Sequence, residues 1–114
     1  MRGNWMLSVS LTVLAMAVGI AQTSAAEVCA AKSKTLRSFT IFDGPPSQKA
    51  SLVPDSADKV TATWEVGGVY DAGRIVWVRC EYAGGSHADA KLAQKVAKCE
   101  SRAVKKDVFK LNCQ

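Results

Sequence analysis

The chain has 114 residues, 48% of them hydrophobic and 22% charged, with a formal net charge of +5. That length holds one domain. Four cysteines set against a single histidine, with no CxxC pair, argue against a metal site.

Residues 1–26 read as a signal peptide. Arg2 supplies the positive end, Trp5 to Ala21 is apolar apart from short hydroxyl residues, and Ser24 and Ala26 stand where a signal peptidase reads small side chains. Cleavage after Ala26 removes Arg2, leaves a charge of +4, and makes residues 27–114 a single disulfide-bonded β-rich domain. The expected location is periplasmic or secreted, with membrane contact only through the signal peptide before cleavage. All four cysteines, Cys29, Cys80, Cys99 and Cys113, fall in the exported part. An even count in an oxidising compartment predicts two disulfides. Each would stabilise so small a core by about 2–4 kcal/mol.

Glu27 to Arg37 sets no period. "SFTIF", Ser38 to Phe42, reads as a short strand. Asp43-Gly44-Pro45-Pro46 stops it, because two prolines remove two backbone donors. A helical turn is expected over Gln48 to Val53, with Ser47 as its cap and Pro54 as its stop. From Val60 the pattern alternates, so that Val60, Ala62, Trp64 and Val66 share one face of a half-buried strand. Gly67-Gly68 and Asp71-Ala72-Gly73 suggest a hairpin-like connection to "RIVWVRCEY". That strand puts Val76, Val78, Cys80 and Tyr82 on the core face, and Ile75, Trp77, Arg79 and Glu81 opposite. The Trp64 strand and this one are expected to pair. "AGGS" makes the next turn.

Beyond it the period is ambiguous. Leu92, Val96, Cys99 and Ala103 fit a helix, whereas Val104 to Cys113 alternates as a strand. The end reads as a hairpin turning at Lys105-Lys106-Asp107.

"FTIFDGPPSQKASLVPD", Trp64, "WVRCEY", "LAQKVAKC" and the terminal "LNCQ" together resemble an uncharacterised family of small exported proteobacterial proteins. Its marks are an FDGPP…LxP block, a WxxCxY strand and four cysteines. Ala93 and Lys95 depart from that pattern, where the family favours Pro and Gly. The resemblance implies a β-rich, disulfide-bonded periplasmic domain and no catalytic residues.

The fold expected is therefore β-rich, a small α+β domain with mainly an antiparallel sheet of about four to five strands, one short helical segment and two disulfides. The pairing expected is Cys80–Cys99 and Cys29–Cys113, the latter tying the ends of the exported chain. Cys99–Cys113 across the last hairpin stays open, because spacing does not set connectivity.

Catalysis is not expected. His87 sits beside a turn, and its neighbour Ser86 would point to the opposite face of an extended segment. Nothing in the spacing of Asp43, Asp55, Glu65 and Glu81 selects a working pair, and no cofactor is implied. Lys91, Lys95, Lys98, Arg102, Lys105, Lys106 and Lys110 crowd the last quarter of the chain. They read as solvated surface, with attraction to an acidic partner as the alternative. No aromatic platform lies among them, so no nucleic acid is expected.

The candidate binding residues are Phe42 and Asp43 at the rim of the proline turn, and Trp77 with Arg79, residue types that lead among interface hot spots. A non-enzymatic binding protein of the envelope, monomeric, is the function expected first. The alternative is an inhibitor or immunity protein against a peptidoglycan-degrading enzyme of the lysozyme type. For a lysozyme inhibitor loop the nearest match is Gly67-Gly68-Val69-Tyr70, which lacks the serine.

Overall fold

Alternating burial organises the molecule. A computed structural model describes residues 26–114; the expected signal peptide lies outside them, but for Ala26. Among the described residues eight strands form: β1 (Ala26–Val28), β2 (Leu36–Asp43), β3 (Ser56–Ala57), β4 (Thr61–Glu65), β5 (Val76–Tyr82), β6 (His87–Leu92), β7 (Lys98–Lys105) and β8 (Val108–Cys113). A helical turn, α1 (Gly67–Asp71), and a 3-10 turn at Pro46–Gln48 complete it.

The strands are antiparallel and divide between two sheets. One has the order β1-β8-β7-β4-β3, the other β2-β5-β6. Trp64 and β5 therefore lie in different sheets, which corrects the expected pairing of the two tryptophan strands. β4 pairs with β7 instead, Trp64 opposite Cys99. The reason is α1, which occupies the connection expected to be a hairpin. A helical turn lets the chain leave one sheet and enter the other, whereas a tight hairpin would have kept both strands together. Val69 is buried on α1, and the Tyr70 hydroxyl donates to the Leu92 carbonyl, 2.8 Å.

The core lies between the sheets. From β2 and β5 come Leu36, Ile41, Val76, Val78, Cys80 and Tyr82; from the five-stranded sheet come Val28, Trp64, Cys99, Leu111 and Cys113. Phe39 joins the two halves, meeting Trp64 edge-on at 5.5 Å and Phe109 at 6.0 Å. The buried polar tips are satisfied: Trp64 Nε1–H donates to the Leu52 carbonyl and the Tyr82 hydroxyl to that of Cys29.

The two disulfides are Cys29–Cys80 and Cys99–Cys113. The expected Cys80–Cys99 and Cys29–Cys113 pairing is thus corrected, and the open alternative across the last hairpin is the one that forms. Lys98 and Gln114 exchange backbone hydrogen bonds, which makes Cys99 opposite Cys113 a non-hydrogen-bonded pair. Antiparallel geometry brings such pairs closest, and here the Cα atoms are 4.0 Å apart. Cys80, in the other sheet, meets Cys29 instead and ties the sheets together. Leu92 to Ala103, ambiguous by period, is strand at both ends and irregular between.

Candidate functional site

The three-stranded sheet has two unlike faces. Residues directly opposite one another on antiparallel strands share a side, so Phe42, Trp77 and Lys91 form one row across β2, β5 and β6. Thr40, Arg79 and Asp89 form the next, and Glu81 and His87 lie beyond. This is the face turned away from the core.

The turn after β2 builds one end of it. Gly44 adopts φ +99°, open to glycine at little cost, and its N–H donates to the Ile75 carbonyl, 3.0 Å. The loop is thereby tied to the start of β5. The chain then returns along β2: the Asp43 N–H donates to the Ala50 carbonyl and the Leu52 N–H to that of Ile41. The segment after the proline turn is a fold-back, and its helical turn covers Pro46–Gln48, ahead of the Gln48 to Val53 expected. A groove of about 330 Å³ results, lined by Pro45, Gln48, Arg74, Ile75, Trp77 and Lys91 among others.

Charge is fixed in place on this face and at the strand ends beside it, where Asp43 lies opposite Val76 and so on the other side of β2. Arg74 clasps the Asp43 carboxylate through Nε and Nη2, at 2.6 and 3.0 Å, and Arg79 clasps Asp89 at 2.8 and 3.0 Å. Hydrogen bonding to each guanidinium holds both carboxyls below their ordinary range, against the opposing effect of desolvation. Bidentate pairs are geometrically specific, so both arginines are pre-ordered. Lys91 stands over the Trp77 ring, its Nζ 5.9 Å from the centroid.

The structure thus gathers Phe42, Asp43, Trp77 and Arg79 on two paired strands, and gives them unequal exposure. Phe42 is buried outside the main core cluster, and offers support rather than contact. Asp43 is held by Arg74 instead of capping its own turn. Trp77 and Arg79 remain half-exposed. Arg74, Ile75, Gln48 and Lys91 were missed by sequence reasoning. One signal could have found Lys91: Trp77 and Lys91 each stand seven residues from Gly84, the first glycine of the "AGGS" turn.

The other candidates disperse. Lys98, Arg102 and Lys110 lie on the outer face of the five-stranded sheet, where Glu65 and Glu100 interleave with them. Lys95 pairs with Asp71 at 3.0 Å. The basic residues make no single patch. Gly67-Gly68-Val69-Tyr70 is α1, packed at the core edge, and so is not the protruding loop a lysozyme inhibitor needs. Asp55 accepts the Glu65 backbone N–H, 2.6 Å. Among the described residues no three His, Cys, Asp or Glu side chains gather as a metal site.

Residues 31–114 match the family described as Type VI secretion system Tli immunity protein, and the chain belongs to that family. Neither a curated protein nor a solved structure matches it. Between the two functions drawn from the sequence, the family favours the inhibitor or immunity alternative over the unspecified binding protein.

Proposed function

We propose that the protein is a periplasmic immunity protein that binds a type VI toxin and blocks it stoichiometrically, without catalysis of its own. Family membership over residues 31–114 is the observation that carries this reading. Two disulfides suit a protein that works outside the reducing cytoplasm. The toxin contact assigned here is the outer face of β2-β5-β6, with Trp77 as its anchor and Arg74, Arg79 and Lys91 around it. Pre-ordered arginines lose little conformational freedom on binding. The outer face of the five-stranded sheet, rich in lysine and glutamate, has the composition that interfaces avoid.

The toxin class named from the sequence is a wall-degrading hydrolase, and the proposal keeps it as the first partner to test. Co-expression decides the function: a toxin sent to the periplasm should lyse cells unless this protein is exported with it. Protection that persists when the protein is held in the cytoplasm, or no protection against any co-encoded toxin, overturns the reading. The product identifies the target. Muropeptide release marks a wall hydrolase; release of fatty acid or headgroup marks a lipid hydrolase and removes the wall from the proposal. Trp77→Ala should weaken toxin binding by at least about tenfold, the range of an interface hot spot, with an unchanged thermal midpoint. Calorimetric titration of the purified pair measures it.

A further inference from the structure

β6 closes one side of the three-stranded sheet, and among the described residues no backbone hydrogen bond reaches it from beyond that side. The Tyr82 N–H donates to the Ser86 carbonyl, 2.9 Å. Alternation then makes Cys80–Ala88, Val78–Ala90 and Val76–Leu92 the hydrogen-bonded pairs. The backbone N–H and C=O groups of His87, Asp89 and Lys91 consequently point away from β5. A six-residue edge of this kind is a template for another strand.

Charge selects which strand. Asp89 and Lys91 share the outer face two positions apart, with opposite signs. If a second β6 lies antiparallel about a two-fold axis at Ala90, each Asp89 meets the other copy's Lys91. On the opposite face Ala90 meets Ala90, and Ala88 meets Leu92, large against small. A register centred on Asp89 or on Lys91 sets like charges opposite each other, which destabilises a cross-strand pair. One centred on Ala88 runs into Gly84 and Gly85, whose φ of +94° takes them out of a strand.

We propose that a second copy of this chain docks along β6 in the register centred on Ala90, making one six-stranded sheet from two sheets of three. Two-fold pairing of this type keeps both outer faces on the same side. The Trp77 grooves of the two copies then face one way, with the Asp89–Lys91 pairs between them. The inference departs from the monomer expected from sequence and does not depend on the immunity reading.

Sedimentation equilibrium of the purified, disulfide-bonded protein tests it. A concentration-dependent dimer is expected, and amide exchange at Asp89 and Lys91 should slow as concentration rises. Ala88 and Ala90, already bonded to β5, should change little. Lys91→Asp should weaken association roughly tenfold, since it turns two attractive cross-strand pairs into repulsive ones. Because that variant leaves the Arg79–Asp89 pair intact, undiminished association overturns the proposal. An equal mixture of Lys91→Asp and Asp89→Lys chains should restore the dimer, one edge then carrying two carboxylates and the other two ammonium groups. A monomer at every concentration overturns it. So does a dimer whose β6 amides exchange as in the monomer, or protection of those amides that appears only when toxin is added.

Discussion

Asp43 shows how much one side chain does in a small domain. Its backbone N–H joins the returning segment at Ala50, while its carboxylate holds Arg74 beside the groove. The Asp89 carboxylate likewise holds Arg79, and Asp58 accepts the Val60 and Thr61 N–H groups, at 2.8 and 2.7 Å, in the turn before β4. All three carboxyls titrate below their ordinary value, Asp43 and Asp89 through their arginines and Asp58 through the Thr61 and Val60 N–H groups. A folded-state pKa below the unfolded one contributes stability that is present above the unfolded value, about 4, and lost as pH falls through the folded value. The thermal midpoint should therefore fall between pH 5 and pH 3, by a margin that these three groups share. Asp43→Asn should shrink that drop, and calorimetric scans at the two pH values check it. Exposure of the arginines limits the size of the effect, because solvent screens such pairs.

Strands and turns tell which parts of the fold were legible. The alternation of Val76, Val78, Cys80 and Tyr82 predicts their burial, and all four are buried. The last hairpin carried more information than was drawn from it. A turn centred on Lys106 places Cys99 and Cys113 at equal distance on either arm, seven residues each, and so opposite one another. The β5–β6 hairpin was obscured by the helical spacing of Leu92, Val96 and Cys99. In the structure Val96 packs against the core from the irregular link between β6 and β7. Leu92, Val96 and Cys99 all reach the core, from β6, the link and β7, and so mimic helical spacing without forming a helix.

The two disulfides act at this scale as well. Cys29–Cys80 closes 51 residues and joins the sheets; Cys99–Cys113 closes 14 within one sheet. Unfolded-chain entropy gives them about 4 and about 3 kcal/mol. Replacing both Cys29 and Cys80 by alanine should cost more than replacing both Cys99 and Cys113, as measured by urea unfolding. The reverse order would show that native packing, and not loop length, sets their contributions. In the core, Ile41→Ala should cost about 2–5 kcal/mol, since Ile41 is 1% exposed and leaves a cavity between the sheets.

At the scale of the whole molecule, the two sheets form a sandwich joined by one covalent tie, Cys29–Cys80, with a second disulfide inside the larger sheet. A domain of this size buries too little surface to be secure on hydrophobic packing alone. Reductant should therefore lower its thermal midpoint steeply, and protein made in a reducing cytoplasm should carry free thiols and resist proteolysis less than exported protein. Thiol counting by mass spectrometry together with limited proteolysis measures both. The proposed toxin contact on the outer face of β2-β5-β6 and the proposed docking of a second copy on the β6 edge use different parts of this arrangement. The two surfaces meet at Lys91, which faces Trp77 in one direction and the open edge in the other.

The sequence by itself determined the strands β2, β4, β5 and β8, the proline turn and the turns at "AGGS" and Lys105-Lys106-Asp107, the burial of Trp64 and Tyr82, and the number of disulfides. Each of these depends on local period, on backbone restriction by glycine and proline, or on composition. The tertiary structure decided the division into two sheets, the cysteine pairing and the gathering of Arg74, Trp77 and Lys91 around one groove. A period of two reports which face of a strand is buried but carries no label for its neighbour. Partners are chosen by long-range packing, and here a helical turn of five residues, Gly67–Asp71, sent β4 and β5 to opposite sides of the core.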